Sequence, residues 1–77
     1  MKRLTLYSRP GCHLCELLLE ELAPLLGPET QVETVDVSED PELERRYGLR
    51  IPVLVSDDTE LSSYPLDRPR VERFLAE

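Results

Sequence analysis

Apolar and polar residues alternate at the start of the chain, with Leu4 and Leu6 on one side and Thr5 and Tyr7 on the other. A period of two predicts a strand over Arg3 to Tyr7. Ser8-Arg9-Pro10-Gly11 interrupts it as a loop. From Cys12 the period lengthens: Leu14, Leu17, Leu18, Leu22, Leu25 and Leu26 recur at helical spacing, with Glu16, Glu20 and Glu21 opposite. This leucine stripe reads as core and the acidic face as solvated surface. Pro24 lies inside the run, so the helix is expected to kink or end near Ala23, and Gly27-Pro28 closes it.

Gln31 to Val37 is rich in β-branched residues and predicts a second strand. A short helix follows, with Asp40 as N-cap, Pro41 at the first helical position and Gly48 at the stop. Its core contacts are expected at Leu43 and Tyr47, four apart on one face. Ile51 to Val55 reads as a strongly apolar strand, Ser56-Asp57-Asp58-Thr59 as a turn, and Glu60 to Ser63 as a short returning strand. The last helix is expected to begin near Asp67-Arg68-Pro69 and to bury Val71, Phe74 and Leu75. The order β-α-β-α-β-β-α predicts an α/β fold: a four-stranded mixed sheet with three helices packed on it.

Composition narrows the class. The 77 residues leave room for one domain, taken as 1–77, and a domain this small needs nearly every apolar residue in one core. Hydrophobic residues make up 40% of the chain, and no tract is of low complexity. Sixteen acids against nine bases give a net charge of −7. Phosphate backbones need clustered Lys and Arg, so nucleic acid is not expected as a ligand, nor is an anionic membrane surface. No apolar run approaches the ~20 residues of a membrane span. Lys2-Arg3 is followed by only five residues before Arg9 interrupts, which does not read as a signal peptide. A cytoplasmic location is expected.

That expectation bears on the two cysteines. In a reducing cytosol a structural disulfide does not persist, so a close pair points to redox catalysis or metal binding. Cys12-His13-Leu14-Cys15 follows a predicted strand and loop and opens a predicted helix. A helix N-terminus offers partial positive charge and free amides, which favour thiolate over thiol. Cys12 is expected to attack a substrate disulfide, and Cys15, one turn on, to resolve the mixed disulfide. A closed zinc site needs four ligands, whereas this chain supplies two cysteines and one histidine, so no metal site is expected. His13 is expected to tune Cys12 modestly. Arg9 is either a contact for a substrate carboxylate or a solvated loop arginine.

The segment Tyr7-Ser8-Arg9-Pro10-Gly11-Cys12-His13-Leu14-Cys15 resembles the active-site segment of glutaredoxin-like proteins in the thioredoxin-like superfamily. Val35-Asp36-Val37, Asp40-Pro41-Glu42-Leu43 and Tyr47-Gly48-Leu49-Arg50-Ile51-Pro52-Val53-Leu54 are similar to the family's second strand, second helix and cis-proline loop. The likeness comes nearest to a bacterial branch of short glutaredoxin-like proteins. The resemblance implies a glutaredoxin-type fold and thiol–disulfide oxidoreductase activity. It implies that Ile51–Pro52 is cis, that Pro52 faces the active-site disulfide and that the Ile51 main chain binds substrate. It also implies a basic substrate contact at Arg9.

Two departures from the family's pattern bear on glutathione. The dipeptide between the cysteines is His13-Leu14 rather than Pro-Tyr. Leu61-Ser62-Ser63-Tyr64-Pro65-Leu66-Asp67 stands where a Gly-Gly pair and a polar N-cap would hold the γ-glutamyl end. Ser63 and Asp67 are the candidates to serve in part, and weak glutathione binding is expected. No resident cofactor is expected, with glutathione a possible co-substrate. The expected partners are a disulfide-bearing protein or small disulfide and a reductant, either glutathione or thioredoxin reductase, acting on a monomer. The rival readings are an iron–sulfur cluster carrier or scaffold and a non-catalytic redox-sensing interaction domain.

Overall fold

The computed structural model describes residues 2–77. Strand β1 (Lys2–Ser8) leads into helix α1 (His13–Leu22), which passes into a 3-10 turn at Ala23–Leu25. Strand β2 (Thr30–Asp36), a 3-10 turn at Val37–Glu39 and helix α2 (Pro41–Tyr47) follow. Strands β3 (Val53–Ser56) and β4 (Thr59–Ser62) form a hairpin, and helix α3 (Arg68–Ala76) ends the chain. The sheet order is β2-β1-β3-β4. β1 runs parallel to β2, with Leu4 beside Val32 and Ser8 beside Asp36. Parallel pairing requires a crossover, which α1 supplies. The other pairings are antiparallel, with Leu6 opposite Leu54 and Leu54 opposite Ser62.

Local chemistry accounts for the joints. Pro24 falls where the α-helical bonding of α1 gives way to 3-10 geometry. Asp40 caps α2, its Oδ1 accepting the Glu42 amide at 2.9 Å, and Pro41 occupies the first turn. Glu42 and Glu44 sit at the N-terminal end of that helix and Arg45 and Arg46 at the C-terminal end, each sign matching the helix dipole. Asp57 and Asp58 both take positive φ, 48° and 64°, in a two-residue hairpin loop. That backbone matches the twist of the flanking strands, and Asp tolerates it better than most residues. Ser56 Oγ donates to the Arg3 carbonyl at 2.9 Å and ties β3 to β1.

The sheet is buried on both faces. On one face Leu4, Leu6, Leu54 and Leu61 pack with Leu18 and Leu22 of α1 and Val71 of α3. On the other, Val53 and Val55 pack with Val37 and Tyr47, joined by Tyr7, Leu43 and Ile51. All four residues of β3 are therefore buried. Tyr7 and Tyr47 stack with ring centroids 4.2 Å apart and 11° between planes, pinning α2 to β1.

Several boundaries differ from the sequence expectation. Val37 leaves β2 for a 3-10 turn opened by Asp36, whose Oδ1 accepts the Ser38 amide at 2.9 Å. β3 begins at Val53, leaving Ile51 and Pro52 outside the ladder. β4 spans Thr59–Ser62, one residue earlier than expected at each end. Of the leucine stripe, Leu18 and Leu22 are buried and Leu25 and Leu26 pack against them, whereas Leu17 is half-buried outside the core clusters and Leu14 is 45% exposed. In the first turn of α1 the inward position belongs to Cys15, followed by Leu18 and Leu22 at i+3 and i+7, which turns Leu14 outward. Phe74 and Leu75 are partly buried at the margin of the core.

Candidate active site

The loop between β1 and α1 is a tight turn. The Arg9 carbonyl accepts the Cys12 amide at 3.2 Å, with Pro10 and Gly11 between them and Gly11 at φ 78°. Proline at the second position and positive-φ glycine at the third are the residues a type II turn requires. Cys12 then takes the N-cap position of α1 in extended backbone. Its Sγ accepts the Cys15 amide at 3.2 Å, and its carbonyl accepts the Glu16 amide at 3.2 Å. The sulfur thus stands where a capping oxygen would, on an amide the helix leaves free.

Cys12 and Cys15 are joined as a disulfide with Cα atoms 5.3 Å apart. The pair is asymmetric. Cys15 is only 3% exposed and belongs to the inward stripe of α1, whereas Cys12 is partly exposed. Reduced, such a pair offers one reachable sulfur at a helix N-terminus and a second sheltered one turn behind it, the order thiol–disulfide exchange needs. Among the described residues no cluster of three or more His, Cys, Asp or Glu side chains could hold a metal ion.

The sheet register gathers the other candidates at the same end of the fold. Tyr7 pairs with Val53, so Pro52 lies one step on, level with Ser8, from which the Arg9–Cys12 turn departs. β4 also ends here at Ser62, and the loop carrying Ser63 and Asp67 leaves from it. Pro52 is fully buried and the Ile51–Pro52 bond is cis, as is Tyr64–Pro65. The Ile51 side chain packs into the second core cluster.

Of the polar candidates, Arg9 and Asp67 are already engaged within the chain. Arg9 Nη2 meets Glu44 Oε1 at 2.5 Å and lies 3.4 Å from the Gly48 carbonyl. Asp67 caps α3, its Oδ1 accepting the Arg70 amide at 3.3 Å, and its own amide donates to Ser62 Oγ at 2.7 Å. That hydroxyl in turn donates to the Ser63 carbonyl at 2.8 Å. His13 is exposed, with Nδ1 3.9 Å from Glu16 Oε2. Glu44 and Gly48 are not legible in the sequence as neighbours of Arg9. The only signal there was the Gly48 helix stop, and nothing local shows a carboxylate reaching a loop 35 residues earlier. Leu49, beside Gly48, is fully exposed.

A four-stranded α/β sheet with a disulfide across the first turn of α1 defines a thioredoxin-like protein. The model of the glutaredoxin-like domain family (DUF836) matches residues 3–76, and the chain belongs to that family. The protein Rv0508 of Mycobacterium tuberculosis, described as uncharacterized, is 34% identical over 77 residues, covering 92% of this chain and 79% of the relative. The X-ray structure of protein XcR50 from Xanthomonas campestris superposes with a TM-score of 0.73 at 40% identity, covering 95% of each chain. The solution structure of the same protein gives a TM-score of 0.73 at 41% identity, over 99% of this chain and 94% of the other.

Proposed function

We propose that this protein is a thiol–disulfide oxidoreductase in which Cys12 is the nucleophile and Cys15 the resolving thiol. The observation that carries the reading is the unequal burial of the two disulfide-linked cysteines at the start of α1. In the reduced protein the Cys12 thiolate attacks one sulfur of a substrate disulfide. A Cys12–substrate S–S bond forms and the other substrate sulfur leaves as a thiolate. Cys15, deprotonated, then attacks Cys12 Sγ, expels the second substrate thiolate and closes the Cys12–Cys15 disulfide. The substrate gains two electrons and two protons, and the protein is oxidised by the same two electrons.

An external dithiol or thiol donor, glutathione or a thioredoxin reductase system, returns the protein to the dithiol form. Glutathione serves poorly in this reading. Ser62 and Ser63 replace glycines that would let the ligand approach the backbone, and the Asp67 carboxylate is committed to capping α3. Losing one charge-assisted hydrogen bond costs about 1.5–3 kcal/mol, roughly a tenfold to hundredfold loss in affinity. The physiological substrate is a disulfide-bearing protein or small disulfide in the cytoplasm, met by a monomer.

The test is a pair of serine variants. Cys12→Ser abolishes disulfide reduction. Cys15→Ser traps a substrate adduct on Cys12, seen as a mass increase that a dithiol reverses. In the reduced wild type, Cys12 is alkylated faster than Cys15 near pH 7. Equal alkylation rates, or an adduct on Cys15 in the Cys12→Ser variant, refute the assignment. Running turnover with glutathione and glutathione reductase against thioredoxin reductase identifies the donor.

A further inference from the structure

Arg9 is the nearest cation in sequence to Cys12, yet its charge is not free. Its Nη2 meets the Glu44 carboxylate at 2.5 Å and leans on the Gly48 carbonyl at 3.4 Å. Its Nε is buried with no partner among the described residues, so one edge of the guanidinium lies against the protein although the side chain as a whole is 39% exposed. The other charged residues of α2 have their own attachments: Arg45 pairs with Glu42, and Arg46 stands over the Tyr47 ring, 5.2 Å from its centroid. Glu44 is thereby left to Arg9. Gly48 makes room for this arrangement. A Cβ there would stand 2.9 Å from Glu44 Oε1 and 2.4 Å from the Glu44 carbonyl oxygen.

We propose that Glu44 is a specificity-determining residue that occupies Arg9 as an internal carboxylate, so that this site discriminates against carboxylate-bearing disulfides. The inference rests on the oxidoreductase reading and deepens it. With Arg9 as the carboxylate contact that the resemblance implies, a substrate carboxylate arriving at the site finds that partner already neutralised, and must either displace a tethered carboxylate or approach without a counter-charge. A neutral disulfide meets no such competition. The substrate class that suits the site is therefore a disulfide with uncharged or cationic flanks, consistent with the chain's own charge of −7.

Single-turnover oxidation of the dithiol protein tests this without any electron donor. Two probes are used, oxidised glutathione, which carries four carboxylates, and bis(2-hydroxyethyl) disulfide, which carries none. Second-order rate constants are measured for the wild type, Glu44→Gln, Glu42→Gln and the Arg9→Gln/Glu44→Gln double variant. Glu44→Gln keeps a side chain of the same size on a half-exposed position. It raises the ratio of the glutathione-disulfide rate to the neutral-disulfide rate about fivefold, the scale of one partly exposed ion pair. Glu42→Gln changes net charge equally and leaves the ratio within a factor of two of the wild type, and the double variant returns it to the wild-type value. An unchanged ratio in Glu44→Gln, an equal rise in Glu42→Gln, or a rise that survives in the double variant overturns the role of Glu44. A wild-type protein inert to both probes overturns the oxidoreductase reading instead, and this one with it.

Discussion

Replacing Gly48 by alanine separates backbone sterics from conformational entropy. Gly48 follows α2 with helical dihedrals, φ −53° and ψ −35°, so alanine suffers no Ramachandran penalty there. Restricting the unfolded chain would by itself stabilise the variant by about 0.4–1 kcal/mol. Against this, the new methyl group would stand 2.4 Å from the Glu44 carbonyl oxygen, a distance real Cβ atoms do not tolerate. That oxygen already accepts the Gly48 amide at 2.8 Å, so it cannot retreat without losing the bond that ends the helix. Overpacking of this kind costs about 1–3 kcal/mol, and the clash wins by about 0.5–2 kcal/mol. An unfolding entropy of about 2.1 cal/mol/K per residue makes 1 kcal/mol worth roughly 6 °C for a chain of this size, so Tm falls by about 3–12 °C. Gly27→Ala is the matched control. A Cβ there meets nothing within 4 Å and its φ is not positive, so Tm holds or rises by a few degrees. Thermal unfolding of the oxidised proteins, followed by circular dichroism at pH 7, reads both. A Gly48→Ala protein as stable as wild type, or a Gly27→Ala protein destabilised as much, refutes the steric account.

Burial and the neighbouring Tyr47 raise the Tyr7 hydroxyl above its ordinary value of 10.0. The folded state then holds that proton to higher pH than the unfolded chain, so stability is complete below pH 10 and falls as pH rises beyond it. In Tm measurements from pH 8 to 11, Tyr7→Phe shows a shallower loss than the wild type, and parallel curves would refute the linkage. Asp67→Ala removes the cap of α3 and costs about 0.5–2 kcal/mol, a Tm loss of roughly 3–12 °C, while leaving Cys12 alkylation unchanged. A slowed alkylation would show that Asp67 acts on the thiol site as well.

How much of the fold could be read depended on whether a signal was local. The Asp40-Pro41 cap, the Gly48 stop and the proline inside the leucine run each encode their structure within a few residues, and the structure has all three in place. The strand ends slipped by one or two residues because ladder membership is decided by the partner. Pro52 and Ile51 carry a strand-like sequence, yet the ladder with β1 opens only at Tyr7–Val53. Leu14 misled for a related reason. A leucine period finds the apolar face of a helix but not where the core stops, and the first turn of α1 gives its inward position to Cys15.

The site divides along the same line. The type II turn is written in Arg9-Pro10-Gly11-Cys12, and the cysteine spacing alone places one sulfur at the helix start and the other a turn below it. Arg9 was open to two readings because a loop arginine is positioned by whatever packs beside it. Here that neighbour is α2, brought to the sheet by Val37, Tyr47 and the Tyr7–Tyr47 stack, none of which lies between Cys12 and Cys15. The carboxylate that meets Arg9 therefore depends on the second face of the sheet being packed. Changes to that core, such as Tyr47 to a smaller residue, shift α2 and with it the Glu44 carboxylate that meets Arg9, while leaving the Cys12-to-Cys15 segment untouched. A cysteine motif can thus be complete in sequence while the partner of the arginine that precedes it is set by packing on the second face of the sheet.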